Sequence, residues 1–256
     1  MNKSSLIALQ TLLNKEIVRF LRIWTQTLLP PAITMALYFI IFGKLIGSQL
    51  KDIHGYSYMQ YIVPGLTMMS VMTNAYANSS SSFFGAKFSR SIEELLVSSM
   101  PSYIILLGFM IGGALRGLLA GIIVIIISMF FTSLHIQHLA LVLLMGILSA
   151  MLFSLAGLVN GIFAKKFDDV AFIPTFVLTP LTYLGGIFYS IHQLPSFFQY
   201  VSYINPIFNI VDSFKFGMLG VSDVNFYLGF SLVLGLFIIL FFWTLRLLKK
   251  GVGLRT

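Results

Sequence analysis

Cysteine is absent and charge is scarce. With no cysteine among 256 residues, the chain has neither disulfides nor thiolate metal sites available to it. Only 9% of the residues are charged, whereas a soluble domain carries about a quarter. The long apolar runs contain no Asp or Glu at all. A phosphate-cradling G-x-x-x-x-G-K-[ST] loop is also missing, so nucleotide hydrolysis by that route is excluded for this chain.

What is present is hydrophobic. Fifty-eight per cent apolar residues and a mean hydropathy of +0.94 define an integral membrane protein. Six spans are predicted, at roughly 25–46, 60–84, 104–131, 139–163, 171–188 and 226–247. No repeat and no long loop interrupts them, so residues 1–256 read as one all-α membrane domain. The first 23 residues carry four bases and do not fit a cleaved signal peptide, so the N-terminus is expected to stay. If both termini are cytoplasmic, twelve bases flank the spans inside, among them Lys3, Lys87, Lys165, Lys250 and Arg255. Only Lys44, Lys51 and Lys215 fall outside. Net charge of +8 distributed in this way points to membrane orientation rather than nucleic acid.

Residues 1–24 are expected to form an amphipathic interfacial helix. Lys15, Arg19 and Arg22 share one stripe, and Leu6, Leu13, Ile17, Phe20 and Trp24 fall opposite, toward acyl chains.

Chemistry is thin. Without a carboxylate in any span, neither a catalytic site nor the usual proton-coupling site is available there. His135 and His138 lie in a short external turn without a third ligand, and His54 and His192 are isolated, so no metal site is expected. Any active transport would draw its energy from another chain through a cytoplasmic contact. Residues 85–102, "GAKFSRSIEELLVSSMPS", offer one. Ser91 and Glu94 fit a capping box, placing a short helix from Ile92 that ends near Pro101. Such a helix either docks into a partner or rests on the membrane surface.

The layout resembles the ABC-2 family of bacterial ABC-transporter permeases, which export drugs, polysaccharides and other amphiphiles. "RSIEELLVSSMP", Arg90 to Pro101, is similar to that family's coupling loop in its Arg, Glu-Leu-Leu and Pro, with Ile92 and Glu93 as departures. Leu178 to Lys215 resembles the signature region, departing at Asn209 and Lys215. The resemblance implies a subunit of the bacterial inner membrane with no catalytic residue or cofactor of its own. A second copy and two cytoplasmic ATPase subunits carrying ATP and Mg would complete the exporter. It further implies coupling through Arg90, Glu93, Glu94, Leu95 and Leu96. An autonomous carrier or channel is the alternative.

Arg116 is the one charge in an apolar run. A central arginine costs about 2.5 kcal/mol or more unless it snorkels or pairs. It either reaches the cytoplasmic headgroups or lines a wet substrate path. The polar run Thr73 to Ser82, with Asn74 and Asn78, either lines such a path or bonds neighbouring helices. Residues 189–225 are apolar but broken. Gly185, Gly186, Leu194, Pro195 and Pro206 permit a re-entrant helical hairpin from the outer side between spans five and six. An interfacial loop is the alternative, and a gating role for these five residues is implied by the resemblance alone.

Overall fold

The computed structural model describes residues 3–47, 52–97 and 100–253. Lys51 and Arg255, counted above for orientation, lie outside the described residues, as do the side chains of Lys44 and Leu96.

The chain is helical throughout, with no β-strand among the described residues. The helices are α1 (Lys3–Arg22), α2 (Trp24–Thr27), α3 (Leu29–Tyr38), α4 (Tyr58–Phe88), α5 (Ser91–Val97), α6 (Ser102–Ser128) and α7 (Leu139–Phe163). They continue with α8 (Phe167–Ile173), α9 (Thr179–Tyr183), α10 (Ser196–Ile204), α11 (Pro206–Leu219) and α12 (Phe226–Lys250). A π-helical stretch, Phe39–Ile46, prolongs α3, and another, Pro174–Leu178, joins α8 to α9.

Local chemistry sets many of these ends. Ser57 and Gln60 form a reciprocal capping box that starts α4. Asn205 caps α11 with Pro206 at its first position, and Gly220 closes it in the left-handed region. Asn225 and Gly251 do the same for α12.

Among the described residues, four stretches are long and apolar enough to cross a membrane: Trp24–Gly43, Ser102–Ser128, Leu139–Phe163 and Phe226–Lys250. They match four of the six predicted spans. Helix α4 has 31 residues but is more polar, because it contains the Thr73–Ser82 run. The region of the fifth predicted span is helical from Phe167 and stops at Tyr183, several residues before the expected end at 188.

Helix α4 is the centre of the packing. It lies against α6, α7 and α11, and twenty-two of its residues are buried. Gly117 of α6 lets the α4 backbone approach so closely that a Cβ there would meet the Val71 carbonyl oxygen at 2.6 Å. The small residues of α6 therefore serve packing within the chain. One buried cluster surrounds Leu66, Met72, Ile207 and Phe214. A second, at the other end, holds Phe83, Phe109, Leu158 and Leu248. Much of the outer surface is apolar, including Leu228, Ile239 and Phe242 of α12.

Helix α1 forms where the periodicity puts it, but its inward face differs from the expectation. Leu12, Glu16 and Phe20 are the buried residues, while Leu6 and Trp24 are exposed. The helix docks along α6 instead of presenting its whole apolar stripe outward, because Gly108 and Gly112 leave room for Leu12 and Glu16.

Candidate functional site

Three groups of residues carry polar chemistry. The first lies where α1, α4 and α6 meet. Glu16, 1% exposed, accepts from Ser82 Oγ at 2.7 Å and pairs with Arg19 at 3.1 Å. Arg19 also donates to Asn78 Oδ1 at 2.8 Å. One turn along, Arg116 makes only long contacts, to Asn74 Oδ1 at 3.4 Å and the Thr27 carbonyl at 3.5 Å. Arg116 thus stands near the middle of α6, between Asn74 of α4 and the last carbonyl of α2. The polar run divides its work. Ser79 bonds Ser154 of α7 at 2.6 Å, whereas Thr73, Ala77 and Ser81 form an exposed stripe.

The second group is the α4–α5 corner. The helix predicted from Ile92 begins at Ser91, and the capping box is not what starts it. Ser91 Oγ donates back to the Ala86 carbonyl at 3.2 Å, and Arg90 takes a left-handed φ of 59°. Pro101 begins α6 and does not end α5. Ile92 is buried and Leu95 packs on the same cluster, leaving Glu93, Glu94 and Val97 exposed. Beside this corner Lys87 Nζ donates to the Ile162 and Ala164 carbonyls, each at 2.8 Å, closing the end of α7. Burial, and then the nearby Lys165, push its pKa down.

The third group is the 185–225 region. Gly185 and Gly186 are buried; Leu194 is half-buried and its carbonyl accepts from Gln199. Pro195 begins α10 and Pro206 begins α11. Asn205 donates to the Leu181 carbonyl at 2.7 Å, and Asn209 to those of Tyr203 and Asn205. Lys215, counted above on the external side, is 4% exposed. Its Nζ donates to the Gly186 carbonyl at 2.6 Å and sits 3.8 Å over the Tyr61 ring. Asp212 accepts from the 223 and 224 amides, and Asp223 from Ser190 and Ile191. No cluster of three potential metal ligands occurs among the described residues.

The model of the ABC-2 type transporter family matches residues 7–219. The chain belongs to the ABC-2 type transporter family. It is 56% identical over 253 residues to the inner membrane transport permease YadH of Escherichia coli K12, covering 98% of both chains. It is 26% identical over 218 residues to nodulation protein J of Neorhizobium galegae, covering 84% of this chain and 82% of that one. Nodulation protein J of Rhizobium leguminosarum bv. trifolii is 28% identical over 222 residues, with the same coverage.

In this ABC-2 chain the expected coupling residues fall on α5 and the turn before it, whereas of the expected gate residues only Gly186 meets Lys215, and Pro195 and Pro206 stand apart at the starts of α10 and α11. Sequence reasoning missed Glu16. Its signal was Arg19 three residues on, at the ion-pair spacing of a helix; in the fold Glu16 packs on Gly112 of α6.

Proposed function

We propose that this chain is the membrane-spanning permease subunit of an ATP-driven exporter of the bacterial inner membrane. Six helices cross, both termini are cytoplasmic, and two copies form the path. Two copies of a separate ABC ATPase subunit, carrying ATP and Mg, dock from the cytoplasm. Family membership and the printed name of the Escherichia coli relative support the transport role.

The observation that carries the coupling is the split of α5. Ile92 and Leu95 anchor it to the helix core, while Glu93 and Glu94 face outward at its positive end. A push on the acidic face is therefore delivered to α4 through Arg90 and to the second buried cluster. Leu96 completes the coupling set. The stripe of Thr73, Ala77 and Ser81, with Asn74, Asn78 and Arg116 behind it, lines the path. Helices α10 and α11 form the re-entrant hairpin, and Gly185, Gly186, Leu194, Pro195 and Pro206 shape its gate. Helix α11, with 14 residues, is about 21 Å long, short of the roughly 30 Å hydrocarbon core.

The test is charge reversal. The pair Glu93→Lys and Glu94→Lys should reduce stimulated ATPase activity and transport while membrane insertion stays normal. Full coupling in that double variant would remove the assignment. A second reading, an ion-coupled carrier, is favoured by buried Glu16, a carboxylate packed against α4 and α6. Solute uptake by the purified chain alone, driven by a proton gradient in proteoliposomes, would select it.

A further inference from the structure

Helix α4 is separated from α8, α9 and the π-helical stretch between them by two adjoining cavities. The narrower, about 100 Å³, lies between Thr73 and Tyr76 on one side and Thr179, Thr182 and Tyr183 on the other. The wider, about 350 Å³, lies between Ser80, Ser81 and Phe84 and, opposite them, Phe167 and Thr175. Ala77 and Pro174 line both, so the cavities run together as one groove.

The lining is polar but uncharged. No acid or base lines either cavity, and Arg116 is not among the lining residues. Its hydroxyl protons are largely spent. Thr73 donates to the Met69 carbonyl at 2.7 Å, and Ser80 and Ser81 donate to that of Ala77 at 3.3 and 2.6 Å. Across the groove, Thr179 donates to the Pro174 carbonyl at 2.9 Å and Thr182 to that of Leu178 at 2.7 Å. A hydroxyl has one proton and two acceptor lone pairs, so these side chains keep only acceptor capacity for a ligand. Tyr76 is the exception: it is 2% exposed, and its hydroxyl is buried without a hydrogen-bond partner. Phe84 and Phe167, edge-on with ring centroids 4.9 Å apart, add apolar surface at one end.

An anion placed here would be desolvated among acceptor oxygens with no base to pair it. A site built from acceptors favours a ligand that brings donors and rejects the analogue that lacks them. A ligand hydroxyl, which donates and accepts, suits both the Thr and Ser oxygens and Tyr76.

We propose that this groove binds an uncharged amphiphile with a hydroxyl-rich headgroup and discriminates against anionic amphiphiles of the same chain length. Calling that ligand a substrate rests on the reading of Thr73, Ala77 and Ser81 as path-lining. Binding itself needs no ATPase, so the two readings can fail separately.

The chain has no cysteine, so Ala77→Cys places a single thiol in the groove. In the purified full chain in phosphatidylcholine bilayer discs, alkylation of that thiol by a neutral maleimide reports occupancy. Dodecyl glucoside should slow alkylation at concentrations about tenfold lower than dodecyl phosphate. Thr73→Val with Thr179→Val, isosteric changes at exposed positions, should remove that preference. Ser231→Ala, on an exposed face of α12, should leave it intact. Equal protection by the two probes would overturn the proposal, as would an unchanged preference in a folded Thr73→Val, Thr179→Val chain. Alkylation blocked before any probe is added, and released when the chain is diluted to single copies, would mean that a second copy fills the groove and would also overturn it. Glucoside preference in a complex that transports none of the probe would keep the binding site and remove the path reading alone.

Discussion

Glu16 rests directly on Gly112. A Cβ added at position 112 would lie 2.7 Å from the Glu16 Cβ, closer than real contacts allow. That contact seats the N-terminal helix and presents the Glu16 carboxylate to Ser82 and Arg19. Gly112→Ala is therefore expected to destabilise the chain by about 1–3 kcal/mol, the usual range for overpacking. Gly235→Ala, where a Cβ meets nothing within 4 Å, is the control and should be neutral or slightly stabilising. Thermal unfolding in detergent, read by loss of the monodisperse species, compares them. Equal midpoints would mean that α1 does not sit on α6 in this way.

Lys215 ties α11 to the turn at Gly186. Lys215→Met keeps the aliphatic stem but leaves the Gly186 carbonyl unpaired, a loss of about 1–3 kcal/mol. The effect should be local. Amide exchange should rise in residues 185–194 while α7 keeps its protection. Unchanged exchange in that loop would show that the bond to Gly186 contributes nothing to its order.

Asp169 offers a pH dependence. Its carboxylate accepts from the Lys165 amide at 2.8 Å and the Lys166 amide at 3.0 Å, and these backbone bonds hold its pKa below the usual aspartate value. A depressed carboxylate contributes stability above its unfolded pKa and loses it as pH falls through the folded one. The start of α8 should therefore fray only under acid conditions below the ordinary aspartate range. Asp169→Asn should show the same fraying at neutral pH, seen as faster exchange of the 165 and 166 amides after correction for intrinsic rates. An acid-insensitive segment in the native chain would contradict the bond.

The main helices could be read directly from the chain. The runs at 102–128, 139–163 and 226–250 are long and apolar, and the predicted spans fall within a few residues of them. The candidate site was only partly legible. Arg90, Glu93 and Glu94 stand out because they follow a polar turn after a long run. Glu16 does not, since at helical spacing it shares a face with Leu12 and Phe20, where a carboxylate ordinarily would not be buried. Lys215 reads equally well as a surface base.

Sequence by itself determined that this chain belongs in a membrane, that it is helical, and where its long apolar helices lie. Those properties follow from transfer free energy and from backbone groups satisfied within a few residues, so local composition decides them. Tertiary structure decided which polar groups meet. Glu16 finds Ser82, Arg116 finds Asn74 and Lys215 finds Gly186 across 66, 42 and 29 positions of chain. A polar side chain deep among helices is tolerable only when a neighbour supplies its partner, and the neighbour is set by packing rather than by proximity in sequence.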